Sequence, residues 1–305
     1  RKFLWRSIDY EGSNTMHAQG WLALAQLEES ESRFNVARNV FKRAIENYER
    51  KRRITWSGSS RSRQINNLNI IPAKMGDKWL QVYNAWIIME ENQGARYDEL
   101  NNLYSRVAVA FPDDWKNLQR WAKLQVRHDR HGRARTLFEL ACDKAGSSNA
   151  EPYRLYAEFE MSINNHYRAR SILFLGAQSL SQSPDGAMGN SDEFSKLYHT
   201  WGVCEWHLEN LDRAEILFDH ALRLTDSGEG GSEIRTLVLY SIARFLFHAR
   251  EDYILTQHCV CLSLTETAVP GFGARSRVWS LWADVAIKMD NVCLSQHCTF
   301  QAEKV

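Results

Sequence analysis

One pattern recurs along the chain and restricts its fold more than any other feature. The clearest copy begins at Trp21, with bulky residues at its first, fourth and seventh positions, a small residue at its fifth and Glu28 at its eighth. Nine residues after Glu28 comes a second apolar series, formed by Ala37, Phe41 and Ala44. These spacings place the apolar residues on one face of each of two helices. The pattern therefore predicts a helical hairpin.

Six further copies of this pattern follow, three of them in close register with the first and three weaker. A single hairpin cannot bury both of its apolar faces, so consecutive hairpins must stack. We therefore predict an all-α fold, a right-handed α-solenoid of about seven hairpins that spans residues 1–305 as one domain. Burial between adjacent hairpins is expected for Trp21, Trp121, Tyr153 and Trp201. The first residues of the seven copies are Trp21, Tyr83, Leu118, Tyr153, Tyr198, Tyr240 and Trp279.

The step between the first two copies is the longest and predicts an insertion. Residues 51–78 are rich in Gly, Ser and Asn, a composition that is typical of loops. We interpret this segment as a basic loop between the first and second hairpins. Shorter loops are predicted at 181–191 and 226–232 for the same reason.

The copies resemble the HAT (half-a-TPR) motif, in which an aromatic-rich helix ending in Glu precedes a helix that begins with Ala-Arg. The resemblance covers about residues 17–302, although the copies at Tyr240 and Trp279 lack the Glu. It implies a scaffold in RNA metabolism, which for this family includes splicing, cleavage and polyadenylation, ribosomal RNA processing and the stabilisation of chloroplast messages. The first copy is most similar to organellar members that protect transcript ends. The resemblance thus implies a plastid location, with the nucleus as the alternative.

The distribution of charge favours two different surfaces. Residues 1–150 contain 25 Lys and Arg against 17 Asp and Glu, whereas the remainder contains 13 against 20, giving about +8 and −7. A basic half suits a polyanion and an acidic half suits another partner, although uneven solvated faces produce the same imbalance. The six cysteines lack the dense spacing of a disulfide framework and so indicate a reducing, intracellular compartment without disulfides. No apolar run is long enough to predict membrane insertion.

Several candidates for chemistry have structural interpretations. Glu28 with Arg38, and Glu160 with Arg170, occupy matching repeat positions, so we predict an ion pair between the two helices of each hairpin. Two Gln-His-Cys triplets, ending at Cys259 and Cys298, offer zinc ligands. The triplets lie 39 residues apart, which is also the local repeat step, so packing explains them better. We predict no metal, no other cofactor and no enzyme activity, since phosphate loops and hydrolase elbows are absent from the sequence.

Two basic features are the candidate RNA-binding sites. The first lies at the start of the predicted loop, where no acid occurs between Arg50 and Gly76. It is interpreted as a phosphate-binding arm, or alternatively as a solvated linker or localisation signal. Its residues in this prediction are Arg50, Lys51, Arg52, Arg53, Arg61 and Arg63.

The second feature is a stripe on the first helix of the third hairpin. At about 100° per residue, spacings of 4, 3 and 4 bring its four side chains onto one narrow face, opposite Leu118 and Ala122. That face must be exposed, and it could hold a single strand or simply be solvated. The four residues are Lys116, Arg120, Lys123 and Arg127.

Together these features predict a non-catalytic helical-repeat scaffold in RNA processing or stabilisation. Single-stranded RNA would bind the basic N-terminal half, and proteins of a multi-subunit complex would bind the C-terminal half. The alternative is a scaffold for protein assembly alone, in which the basic stripe contacts an acidic protein and no RNA is bound.

Overall fold

The computed structural model describes residues 14–58, 73–146, 149–181, 191–225, 231–266 and 274–304. Within these ranges the regular structure consists of fourteen α-helices and one π-helical turn, Leu246–Arg250. The helices are α1 Asn14–Ser30, α2 Phe34–Gly58, α3 Ala73–Asn92, α4 Tyr97–Ala110, α5 Trp115–Arg127, α6 His131–Ala145, α7 Glu151–Ser162, α8 His166–Ser181, α9 Ser191–His207, α10 Leu211–Thr225, α11 Gly231–Phe245, α12 Tyr253–Glu266, α13 Ala274–Lys288 and α14 Val292–Lys304.

Each odd-numbered helix is joined to the next helix by a short turn of one repeated geometry. Every such turn contains one residue with positive φ, between 54° and 66°. In α9, for example, the amide of Asn210 donates to the carbonyl of Glu205, five residues back, as in a Schellman cap. The positive-φ residues of the seven turns are Ser32, Gly94, Asp129, Asn164, Glu209, Glu251 and Asp290.

The chain divides into two compact units, Arg1–Leu137 and Phe138–Val305. In the first unit, α1 packs against α2 and α3, and α3 packs against α4. In the second unit, α7 packs against α8 and α9, and the same arrangement continues for α9 with α10 and α11. Within each unit, the first helices α1 and α3, α7 and α9, and α9 and α11 thus lie side by side, and second helices such as α2, α8 and α10 contact the following hairpin. The predicted all-α solenoid is confirmed, whereas its extent as one domain over 1–305 stays a prediction.

Small residues allow the two helices of a hairpin to approach closely. The fifth repeat position is a fully buried alanine in several copies, including Ala25 and Ala157. In α9 this position is Gly202, where an added Cβ would lie 2.7 Å from the ring of Phe218. Of the four aromatic residues that we expected between hairpins, Trp21 and Trp201 are buried. The other two, Trp121 and Tyr153, are half-buried.

The bounds of the predicted 51–78 loop differ from the structure. Helix α2 continues to Gly58 and α3 begins at Ala73, so both ends of this segment are helical. Lys and Arg are good helix formers, and a basic run therefore need not end a helix. Residues 59–72 lie outside the described part, as do most residues of the two shorter predicted loops.

Among the helices in the described part of the chain, none is both long and apolar enough to cross a membrane.

Candidate functional site

A buried carboxylate joins two hairpins of the second unit. Glu205 on α9 has no exposed surface, and its oxygens accept two hydrogen bonds from the guanidinium of Arg170 on α8, at 2.8 and 2.5 Å. Trp201, one turn earlier on α9, donates its indole N–H at 3.0 Å, and the amide of Asn210 donates at 2.9 Å. A bidentate pair with two further donors fully satisfies the carboxylate. We call this arrangement the hairpin clamp.

The first unit contains the same clamp and a neutral version of it. Glu90 on α3 accepts bonds from Arg38 on α2 at 2.6 and 2.7 Å, and from the indole of Trp86 at 2.9 Å. Between α4 and α5, Asn101 replaces the arginine and Gln125 replaces the glutamate. The Asn101 carbonyl accepts from the Gln125 amide at 3.0 Å and from the indole of Trp121 at 2.9 Å. The same kind of interface therefore accommodates a charged or a neutral pair, although the indole donates to the glutamate in the charged pair and to the asparagine in the neutral one.

Between α10 and the following hairpin an exposed ion pair takes the place of the clamp. The position that is Arg38 in α2 and Arg170 in α8 is Glu215 in α10. Its carboxylate accepts a bond of 2.9 Å from Arg250, which lies in the π-helical turn of the following hairpin and also contacts Asp212 at 2.5 Å. The pairing between consecutive hairpins is thus retained with exchanged charges.

The predicted pairing within each hairpin is wrong for these arginines. Arg38 contacts Glu90 instead of Glu28, and Arg170 contacts Glu205 instead of Glu160. The two helices of a hairpin place the arginine on the face that meets the next first helix, where the equivalent carboxylate lies.

The clamp changes the ionisation of its carboxylates. Burial alone would raise the pKa of Glu205, but hydrogen bonds from Arg170, Asn210 and Trp201 outweigh it and leave the pKa lowered. Glu90 shows the same balance, with Arg38 and Trp86 as donors, and its pKa is also lowered. Both carboxylates are therefore charged near neutral pH. Such fully bonded carboxylates serve packing and are poor candidates for general acids.

The basic stripe of α5 is exposed as predicted. All four of its side chains are exposed, whereas Leu118 and Ala122 on the opposite face are buried. Its ends have neighbours: Arg127 lies 3.8 Å from Glu91, and Lys116 lies over the ring of Trp115 at 5.5 Å. The central pair, Arg120 and Lys123, has no ion-pair partner among the described residues. Within the described structure, the stripe thus has two cations without an ion-pair partner at its centre and one cation with a neighbouring side chain at each end.

The first basic feature is only partly covered by the structure. Arg50 is exposed on α2 and donates to the side chain of Asn47 at 3.0 Å. The backbone of residues 51–53 is helical, but the side chains of Lys51, Arg52 and Arg53 lie outside the described part, as do Arg61 and Arg63 entirely. Their proposed contact with phosphates stays a prediction.

The cysteines of the two Gln-His-Cys triplets are packing residues. Cys298 is fully buried, Cys259 packs against two core clusters, and all six cysteines are free thiols. Burial raises the pKa of both thiols, so they stay protonated near neutral pH. Among the described residues, no group of three or more His, Cys, Asp or Glu side chains could hold a metal ion.

One Ser–His contact has the atoms of a nucleophile and a base. In the second unit, His199 Nε2 lies 2.7 Å from Ser241 Oγ. Burial, followed by the charge of Arg154, lowers the pKa of His199 to about 4. A base this weak is far below the value near 7 that suits general base catalysis. Its hydrogen bonds within the described residues include no carboxylate that would orient the ring. We assign the contact to packing.

The lowered pKa of His199 predicts a pH-dependent stability. In the unfolded chain the pKa returns to about 6.5. Between pH 6.5 and 4 the imidazole is therefore protonated in the unfolded state but neutral in the folded state. Stability that is present above pH 6.5 is therefore lost as the pH falls through this window, by roughly 2 to 3 kcal/mol. Denaturation of the parent and of His199→Gln, measured at pH 7, 5.5 and 4.5, should show a smaller loss in the variant. The exposed His258→Gln is the matched control, and an equal loss in all three proteins would contradict the assignment.

Exposed apolar side chains form a feature that sequence reasoning missed. On α8, Tyr167, Phe174 and Leu175 are 73%, 52% and 54% exposed. They lie seven and eight residues apart, on one face of the helix. Aligning the repeats could have revealed this feature, because the matching positions of α2 and α10 hold polar residues.

Comparisons with known proteins support the fold. No family model matches the chain, and no curated protein sequence is similar to it. Among solved structures, BtubC from P. vanneervenii has a TM-score of 0.58 at 14% identity, covering 68% of this chain and 87% of that one. A tetratricopeptide repeat protein from Parabacteroides merdae has a TM-score of 0.53 at 10% identity, covering 94% and 92%. The Cut9–Hcn1 hetero-tetramer of the APC/C gives 0.53 at 13%, covering 99% of this chain and 55% of that one. The chain therefore has a TPR-like helical-repeat fold.

Proposed function

We propose that this chain is a non-catalytic helical-repeat scaffold that holds protein partners in an assembly. One observation carries the proposal: the hydrogen bonds of the buried carboxylates Glu90 and Glu205 all go to the fold itself, to an arginine of the preceding hairpin and to donors of their own hairpin. Buried polar groups thus stabilise the stack, and exposed faces are left for binding. The similarity to Cut9, whose solved structure is a hetero-tetramer, supports use of this fold in assemblies.

The direct experiment is to crosslink the full chain in cells that express it and identify the proteins and RNA that co-purify. The scaffold proposal predicts a small set of proteins in near-equal molar amount. Recovery of the chain alone, with neither protein nor RNA enriched over a tag control, would count against it. Location in a plastid, with the nucleus as the alternative, is part of the same proposal and would be read from the identity of those partners.

RNA binding at the α5 stripe is the second candidate function. It is supported by the HAT resemblance and by the free cations of Arg120 and Lys123, which lie in line with Lys116 and Arg127. Phosphates of a single strand could neutralise such a row, and counterions would be released. On this proposal the scaffold takes part in RNA processing or stabilisation.

Replacement of all four stripe residues by Gln should weaken binding to every single-stranded RNA tested. Each phosphate contact contributes about 0.7 to the slope of log affinity against log salt, so four contacts contribute nearly three. Stability should change little because the four positions are exposed. Titration of labelled single-stranded RNA at several salt concentrations measures both the affinity and the slope.

The control removes four positive charges elsewhere and keeps the net charge of the two variants equal. If the control weakens binding as much as the stripe variant, only long-range attraction is involved. If the stripe variant keeps the affinity and slope of the parent, the stripe binds no RNA and the protein-only scaffold is favoured. The control positions are Lys42, Arg43, Arg277 and Lys288, all exposed and all changed to Gln.

A further inference from the structure

The exposed face of α8 departs from the pattern of the second helices α2 and α10. Tyr167, Phe174 and Leu175 lie within about 100° of one another around the helix, and together they form what we call the α8 strip. Large exposed side chains grouped in this way mark interaction sites more often than scattered ones do. The same register is polar in these two helices: Asn35, Lys42 and Arg43 in α2, and Asp212, Asp219 and His220 in α10.

Two clefts of the second unit meet at the strip. The first, of about 490 Å³, lies beside Leu175 and is lined by Tyr153, Glu139 and Asp143. The second, of about 330 Å³, is lined by Phe174, Leu175, Trp201 and Arg213. Because Leu175 lines both, one extended or helical segment that crosses α8 can contact both clefts.

The two clefts differ in charge. In the first, Glu139 already accepts hydrogen bonds from Tyr156 at 3.0 Å and Arg168 at 2.9 Å. Asp143 is exposed and has no ion-pair partner in the described part of the chain. Burial, and then the charges of Asp143 and Glu139, raise the pKa of the Cys142 thiol beside them to about 12. The first cleft therefore favours a cation.

The second cleft has an apolar floor. Trp201 is buried there, and the ring of Phe174 meets it edge-on with centroids 6.3 Å apart. Arg213 lies over Trp201 at 5.6 Å and is half exposed at the rim. This cleft suits an aromatic or aliphatic side chain with solvent on one side.

We propose that the α8 strip binds a segment of a partner protein in which a Lys or Arg lies a few residues from an apolar side chain. The basic side chain rests its aliphatic stem on Tyr153 and Leu175 and pairs with Asp143. The apolar side chain packs against Phe174 and Leu175, over Trp201. Nucleic acid does not fit this surface, because its phosphates would meet Asp143 and Glu139. The inference rests on the proposed scaffold function and names the partner chemistry for one face of it.

The test is a random-peptide display selection on the purified full chain, followed by binding of the enriched peptides in labelled synthetic form. Enrichment of Lys or Arg close to Phe, Leu, Ile, Met or Trp is expected. The variant Phe174→Asp/Leu175→His carries the residues that α10 has at these positions, so it should fold, and circular dichroism checks this. It should bind the selected peptide at least about tenfold more weakly.

Charge reversal tests the orientation of the peptide. Asp143→Lys should weaken binding of the selected peptide and strengthen binding of a version in which its basic residue is Glu. Reversing the charge on both sides of an exposed pair restores the attraction. The control Ile216→Ser removes an apolar side chain that is 68% exposed on α10, outside the strip, and should leave binding unchanged.

Failure of this inference can be distinguished from failure of the scaffold proposal. If no basic–apolar peptide is enriched, or if the α8 variant binds the peptide as the parent does, the strip is not the docking site. The scaffold proposal still stands in that case when the same proteins co-purify with the parent and with the α8 variant. If the chain dimerises and only the α8 variant is monomeric in sedimentation, a second copy occupies the strip and the partner-segment proposal is overturned.

Discussion

Truncation of Trp201 to Ala should lower the free energy of unfolding by about 3 to 5 kcal/mol, the usual cost of removing a buried large aromatic side chain. Its ring is 6% exposed and stacks against Tyr198, with centroids 6.2 Å apart. Alanine leaves a cavity between α8 and α9 and also removes the indole donor from the buried carboxylate of Glu205. Denaturant unfolding followed by helical circular dichroism measures the effect.

Two further variants separate the ring from its N–H group. Trp201→Phe keeps an aromatic ring but leaves Glu205 with one donor fewer, so we expect a smaller loss of about 1 to 3 kcal/mol. Trp279→Ala removes another tryptophan, one that is half-buried at the first position of its hairpin, and should cost less than Trp201→Ala. An unchanged unfolding midpoint for Trp201→Ala would show that the register of this hairpin is wrong.

The positions of the helices could be predicted from sequence because apolar spacing and repeat register act locally. The weak copies at Tyr240 and Trp279 share with the strong ones a turn with a positive-φ residue, Glu251 and Asp290 respectively. Those residues gave little signal, since Gly occupies this turn position only at Gly94. The exposure of the α5 stripe followed from about 100° per residue alone.

The partners of the repeat arginines could not be predicted in the same way. A repeat gives Arg38 two equivalent carboxylates, Glu28 in its own hairpin and Glu90 in the next. Periodicity identifies matching positions but carries no information about the direction in which hairpins stack. The contact over 52 residues therefore became visible only in three dimensions. The α8 strip could not be predicted for another reason. A repeat pattern is defined by the positions that its copies share, and the strip lies at positions where the copies differ.

Replacement of Glu205 by Ala should cost about 3 to 5 kcal/mol, which is typical of breaking a buried ion pair by removal of one partner. Arg170 would keep a partly buried charge, and the donors of Trp201 and Asn210 would lose their acceptor. By contrast, Arg213→Asn should cost less than about 1 kcal/mol, because that guanidinium is 54% exposed and lies 3.8 Å from the carboxylate.

The neutral clamp of the first unit provides a rescue for the charged one. Glu205→Gln combined with Arg170→Asn installs in α8 and α9 the residue types of Asn101 and Gln125, which bond to each other, with a tryptophan donating to the asparagine. Glu205→Gln alone leaves the charge of Arg170 unpaired, whereas the double variant leaves no unpaired ion. The double variant should therefore be more stable than the single one, even though it changes more residues. A double-mutant cycle measures this coupling, which we expect to lie between about 0.5 and 3 kcal/mol. Additive losses would mean that Arg170 and Glu205 do not act as a pair, and that α8 and α9 are held together at this point by their apolar faces.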